Sequence, residues 1–264
     1  MNFSILASGS TGNAVYVETE RIRVLIDAGL SGKQLEKLLR SIGADPASLD
    51  ALLVTHEHID HVKGLGVFAR RYHLPVYMNH ATWSHLPSSV GEIDESLKHI
   101  FETGSTLELE DLTVESFPVS HDAAEPVGFV FHSDQGSLGL VTDVGYINQR
   151  IVDKVAGTDA LIFESNHDVE MLRMGSYPWN IKRRILSDTG HLSNEDAAEG
   201  LLDIVEGKGE YIYLAHLSQD NNLTELAHLT VKEILEDRGL RVGQDVHLRE
   251  THPHRATALH TIKR

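Results

Sequence analysis

Residues 54–62 read Val-Thr-His-Glu-His-Ile-Asp-His-Val, so His56, His58, Asp60 and His61 place three imidazoles and one carboxylate within six positions. They follow the apolar run Ala51-Leu52-Leu53-Val54, which reads as a buried strand. Side chains two apart on an extended segment point to the same side, so His56 and His58 reach one metal ion. Asp60 and His61 fall where the chain must turn into a helix; they point elsewhere and suit a second ion. Imidazole and carboxylate without sulfur fit zinc, manganese or iron in a site that keeps a water. Chance would produce this spacing roughly 0.005 times in a chain of such composition. Buried without partners, these groups would cost several kcal/mol, which metal ions would offset.

The elements that must position them are short. Strand-like runs cover Phe3 to Ala7, Ala14 to Thr19, Arg23 to Ile26, Leu52 to Thr55 and Val76 to Asn79. Later ones cover Leu112 to Val119, Val127 to His132, Leu138 to Thr142, Ala160 to Glu164, Tyr211 to Ala215 and Val246 to Arg249. Helical spacing appears in Leu35, Leu38, Leu39 and Ile42, with Gly43 as a stop. A second helix is expected over Val62 to Tyr72, weakened by Gly64 and Gly66. A third opens at Ser193 with Asp196 three residues on, a capping-box variant. A fourth starts at Thr224, with Leu226, Leu229 and Leu235 on one side and Gly239 at its end. No linker or repeat breaks the chain, so one α/β or α+β domain over 1–264 is expected.

Three further polar residues each follow an apolar run. His121 follows Thr113 to Val119, Asp143 follows Leu138 to Thr142, and His216 follows Tyr211 to Ala215. Each would stand on the rim of a sheet. His56-x-His58-x-Asp60-His61, then His121, Asp143 and His216, resemble the ordered motifs of the metallo-β-lactamase superfamily. Asp27, in Leu25-Ile26-Asp27-Ala28-Gly29, is similar to its first motif. The resemblance implies an α+β fold, a four-layer αββα sandwich with metals on the shared rim of two sheets. Segments 7–13, 164–168, 177–184, 190–198 and 214–218 resemble the YycJ/WalJ (VicX) branch of Gram-positive bacteria. That branch implies a single-domain DNA exonuclease working 5′ to 3′, with a link to a cell-wall two-component system.

The resemblance also implies roles. His56, His58 and His121 would hold one ion, Asp60, His61 and His216 the other, and Asp143 would bridge them. Asp60 would also steer the proton of the attacking water. Asp27 would accept an N–H from a ligand imidazole and fix its tautomer. His191, just before the Ser193 cap, is the candidate to protonate the leaving oxygen. His167 has no assigned role. Segment 171–184 carries Arg173, Lys182, Arg183 and Arg184 on an otherwise acidic chain, with Tyr177 and Trp179 as stacking candidates. Ser10 and Asn13, in the Gly9 to Asn13 turn, are candidates to meet a phosphate. The tail histidines His252, His254 and His260 resemble a metal pair without further ligands.

Composition narrows the classes. The 264 residues hold 39 acidic and 23 basic side chains, a net charge of −16, which opposes general binding to nucleic acid or anionic membrane. There is no cysteine, so disulfides and thiolate sites are excluded. The N-terminus lacks a basic signal-peptide region, and the expected setting is cytoplasmic. Only 48 residues follow His216, too few for a glyoxalase-type substrate domain. The competing readings are hydrolysis of a small ester or cyclic phosphate, and a metal-stabilised regulatory accessory.

Overall fold

Branched and aromatic residues, buried in alternation or in unbroken runs, set the strands of the chain. A computed structural model describes residues 1–263, which cluster into two compact units. The first comprises Met1–Pro118, Ala123–Gly136 and the chain from His252 onward. Its elements begin with β1 (Asn2–Ala7), β2 (Ala14–Glu18), β3 (Arg23–Ile26), α1 (Gly32–Ser41), β4 (Ala51–Leu53), α2 (Ile59–Val62) and α3 (Leu65–Tyr72). They continue with β5 (Val76–Asn79), α4 (His80–His85), β6 (Lys98–Phe101), β7 (Thr106–Leu109), β8 (Leu112–Pro118) and β9 (Val127–Ser133).

In this unit β1, β2 and β3 pair antiparallel, and β3, β4, β5 and β6 pair parallel. Strands β7, β8 and β9 form an antiparallel run. The core joins both kinds of element: Leu6, Tyr16, Leu25 and Leu52 from strands meet Leu35, Leu39, Leu65 and Phe68 from helices. Ser31 caps α1 in a reciprocal box with Gln34, satisfying two end N–H groups.

The helix expected over Val62 to Tyr72 is two helices. Gly64 separates them because the 27–31 loop lies against it. Gly64 N–H donates to Ala28 O at 2.7 Å, and a Cβ on Gly64 would stand 2.3 Å from Leu30 O. Helix α2 therefore ends early, and His61 keeps its own place beside Asp27.

The second unit comprises Val119–Asp122 and Ser137–Thr251. It holds β10 (Gly136–Val141, all but its first residue), α5 (Gln149–Val155), β11 (Ala160–Glu164), α6 (Val169–Met174), α7 (Trp179–Ile185) and α8 (Asn194–Ile204). Then come β12 (Glu210–Ala215), α9 (Thr224–Asp237) and β13 (Val246–Glu250). β10 to β13 pair parallel in chain order, with helices in every crossover. Their near-continuous burial, as in Ala160 to Glu164, is what a parallel strand covered on both faces requires. The buried side of α9 is Ala227, Val231 and Leu235; Leu229 of the expected apolar side is half exposed. The last strand, β14 (His260–Thr261), pairs with β1 in the first unit. Among the described residues no helix is long and apolar enough to cross a membrane.

The 27–31 loop makes a second backbone approach at Gly29, whose added Cβ would lie 1.6 Å from Asp60 O. Gly29→Ala must push the loop off the Asp60-His61 turn. The expected loss is about 2 kcal/mol of stability, read from the urea midpoint; an unchanged midpoint would contradict this packing.

Candidate active site

The site residues stand where strands end. Asp27 follows β3, His56 follows β4, Asp143 follows β10 and His216 follows β12, the carboxyl ends at which open α/β sheets present ligand groups. Three of these adopt the left-handed backbone that non-glycine residues rarely take: Asp27 at φ 58°, Asp143 at φ 56° and His216 at φ 56°. Asp and His tolerate that region better than most side chains, and it turns the chain sharply off the strand. Such conformations cost roughly 1–3 kcal/mol each and persist where the surroundings fix them.

In the first unit, four candidate ligands share one stretch. The His56 ring centroid is 4.7 Å from that of His58 and 4.1 Å from that of His61. Asp60 Oδ2 is 3.8 Å from His61 Nε2. Behind them lies buried Asp27. It accepts from Thr55 N at 2.9 Å, Thr55 Oγ1 at 2.8 Å and His61 Nδ1 at 2.7 Å. Since the Thr55 hydroxyl donates to Asp27, it is free to accept from His56 Nδ1 at 3.0 Å. One carboxylate and one hydroxyl thus set the tautomer of two imidazoles, both with the proton on Nδ1 and the lone pair on Nε2.

The second unit repeats the device. His121 Nδ1 donates to Gly190 O at 3.1 Å, and its Nε2 is 3.7 Å from Asp143 Oδ1. His216 Nδ1 donates to Glu164 Oε1 at 3.1 Å, and its Nε2 is 3.5 Å from Asp143 Oδ1. His191 Nδ1 donates to the same Glu164 Oε1 at 2.7 Å. Glu164 Oε2 accepts from Val144 N at 2.9 Å, which ties the carboxylate to the loop after Asp143. Ligand atoms of Asp143, Glu164, His191 and His216 all lie within 4.8 Å of one another.

Glu164 is the functional residue that sequence reasoning missed. It is fully buried at the end of β11. Burial pushes its carboxyl up, but His191 and His216 outweigh that and hold it below the usual carboxylate range. Its only signal in the sequence is an acid closing the apolar strand Ala160-Leu161-Ile162-Phe163, which reads equally as a strand boundary. Burial lowers His121 from its ordinary value more than nearby Asp143 raises it.

The residues fit a divalent metal by donor chemistry. Within each unit, neutral imidazoles with Nδ1–H fixed on oxygen accompany a carboxylate, the arrangement in which metal-ligating histidines are held. The seven candidates divide between the units: His56, His58, Asp60 and His61 in the first, His121, Asp143 and His216 in the second.

The substrate candidates fare unevenly. Lys182 is buried, with Nζ donating to Arg173 O and Gly175 O at 2.7 Å each, so it ties α7 to the end of α6 and is withdrawn from any surface role. Asn13 is also buried: its Oδ1 accepts from Gly9 N at 2.9 Å, and its Nδ2 is 3.0 Å from His61 Nε2. It organises the turn rather than facing a ligand. Arg184 pairs with Asp122, and Arg173 with Glu170 at 2.8 Å. Arg183 and Ser10 are exposed. Trp179 is 64% exposed, whereas the Tyr177 hydroxyl is bound to Asp220. In the tail, His260 is part of β14, its ring 5.0 Å from Phe3.

Comparison with known proteins adds the family. The Beta-lactamase superfamily domain model matches residues 22–217. Exodeoxyribonuclease YycJ of Bacillus anthracis is 50% identical over 262 residues, covering 99% of this chain and 99% of that one. Exodeoxyribonuclease WalJ of Streptococcus pneumoniae is 48% identical over 262 residues, covering 98% and 97%. Among solved structures, the metallo-β-lactamase fold protein YhfI of Bacillus subtilis superposes with a TM-score of 0.71 at 13% identity, covering 97% of this chain and 98% of that one. That likeness shows the fold, α+β of the metallo-β-lactamase type, in agreement with the class read from the sequence.

One buried group beside the site has a pH consequence. Burial lowers His167 from its ordinary 6.5 to about 4. Between those values the unfolded chain takes up a proton that folded His167 refuses. Stability present above pH 6.5 therefore falls as pH drops toward 4, by up to about 3 kcal/mol. His167→Leu lacks this contribution, so chelated variant protein is expected to lose less stability than wild type over that window in urea titrations. Equal acid slopes would contradict it.

Proposed function

This chain belongs to the β-lactamase superfamily and, within it, to the YycJ/WalJ family, and from that membership we propose that it is a metal-dependent phosphodiesterase removing nucleotides from DNA in the 5′ to 3′ direction. The observation that carries the reading is end-to-end identity, at half of all positions, with a chain named as an exodeoxyribonuclease. The ligand assignment follows the family order. His56, His58, Asp60, His61, His121, Asp143 and His216 would be the residues that hold the ions. A single domain over 1–264 is part of this reading.

Two divalent ions, zinc or manganese, would supply positive charge against the phosphate and a water acidic enough to attack at neutral pH. The chain's own residues do the rest. Asp60 accepts the proton of the attacking water. Asp27 and Glu164 keep the ligand imidazoles in the tautomer that offers Nε2. His191 is the general acid. With Nδ1–H held by Glu164 at 2.7 Å, a protonated His191 presents its second N–H, on Nε2, to the leaving oxygen. Attack breaks the bond between phosphorus and the 3′ oxygen, and that oxygen takes the His191 proton. The buried Glu164 carboxylate holds the His191 ring in place through Nδ1. Away from the metals, exposed Arg183 and Trp179 suit the phosphate and a base of the strand. A DNA substrate puts this work in the cytoplasm.

The test is reconstitution. Chelated protein given Mn or Zn is expected to shorten a labelled DNA strand progressively from its 5′ end, and Asp60→Ala to abolish this. Shortening from the 3′ end, or equal cleavage by the variant, would overturn the reading. His191→Ala is expected to lower turnover about 10²- to 10⁴-fold with metal content unchanged by mass spectrometry. Full turnover in that variant would remove His191 from the mechanism.

A further inference from the structure

The second unit contains a cavity of about 490 Å³ that opens beside His191. Its walls are the loop after Asp143, the loop between α7 and His191, and one side of α8. Volumes of this size hold small organic ligands. Nothing in the assignments above uses it.

The strongest pointer to a ligand is His167, which lines the cavity at 1% exposure. Neither of its ring nitrogens has a hydrogen-bond partner. A neutral imidazole offers one donor and one acceptor, and leaving both unmet in a buried position is costly. A ligand atom that meets one of these nitrogens would offset part of that cost.

The charge of the lining narrows the class. Asp188, Asp196 and Asp203 border the cavity. Of the basic groups on the lining, Arg238 is 3.3 Å from the carboxylate of Glu199 and His191 gives its Nδ1–H to Glu164. A phosphate would be repelled here. Amino and hydroxyl groups, which donate to carboxylates, would be attracted. Tyr146, 46% exposed on the lining, offers an aromatic face for stacking. Among the described residues, His167 belongs to no cluster able to hold a metal ion. A planar heterocycle joined to a sugar meets each requirement.

We propose that this cavity is a nucleoside pocket, which receives the base and sugar of the terminal nucleotide whose 3′ oxygen His191 protonates. The inference rests on the nuclease reading for its position in the reaction. It adds that the nucleoside part of the released nucleotide is gripped by the α8 side of the second unit, while its 5′ phosphate lies outside the acidic pocket.

The test compares two 5′-phosphorylated DNA strands on metal-loaded full-length protein, one with an intact terminal nucleotide and one with an abasic terminal sugar. Loss of the base is expected to raise KM about tenfold. Asp203→Trp, a change at an exposed position that fills the pocket, is expected to raise KM by a similar factor on the intact strand and by clearly less on the abasic strand, which has only its sugar left to lose. His167→Leu should act in the same selective way. Equal KM for the two strands, or an equal effect of Asp203→Trp on both, would overturn the pocket while leaving the nuclease standing. A separate titration with the four uncharged deoxynucleosides, followed by calorimetry, does not depend on cleavage. Saturable binding lost in Asp203→Trp supports the pocket even if no strand is cut, in which case the nuclease reading alone fails. No binding of any deoxynucleoside, or displacement of all of them by spermidine at lower concentration, would overturn it.

Discussion

A buried imidazole that keeps its N–H unpaired is costly, and four histidines of this chain give theirs to an acceptor through the same nitrogen. His56 donates Nδ1–H to Thr55, His61 to Asp27, His121 to the Gly190 carbonyl and His216 to Glu164. The proton on Nδ1 leaves the lone pair on Nε2, the form in which imidazole binds a metal. Much of the local structure follows from this requirement. Asp27 and Glu164 must be buried at the ends of β3 and β11 to be within reach. Asp143 and His216 must leave their strands through a left-handed turn. Gly29 and Gly64 must lack side chains so that the 27–31 loop can lie against the His61 turn.

This explains which parts of the molecule were legible in the sequence. The parallel strands were, because burial on both faces writes them as continuous apolar runs. The polar residues closing those runs were legible for the same reason, since a His or Asp after four or five core residues stands out. Glu164 was not: a strand often ends at an acid, and only the tertiary approach of His191 and His216 gives this one a task. The edge strands β6 and β7 were missed because Lys98-His99-Ile100-Phe101 and Thr106-Leu107-Glu108-Leu109 mix polar and apolar residues with weak burial. Lys182 reads as surface charge in sequence, yet its ammonium is folded inward onto two carbonyls. Charge type alone does not reveal where a long side chain ends.

Electrostatics give the site a divided character. A chain of net charge −16 has little general attraction for DNA, so binding must be local. Of the four basic residues in 171–184, Lys182 is buried and Arg173 and Arg184 are engaged with acids, which leaves Arg183 as the exposed candidate. Bound ions would then carry most of the attraction for phosphate. An acidic cavity beside His191 suits the uncharged parts of a nucleotide, and the two surfaces together sort one end of a strand by charge.

The tautomer of the ligand imidazoles is the most direct measurement of this account. Nitrogen-15 spectra of the metal-loaded protein, with histidine selectively labelled, distinguish protonated from metal-bound ring nitrogens. The expected result is Nδ1–H with metal-bound Nε2 for His56, His61, His121 and His216, and loss of the His61 Nδ1–H signature in Asp27→Asn. Nε2–H at His61 or His216, with the metal on Nδ1, would contradict the role given to Asp27 and Glu164 and the mechanism built on it.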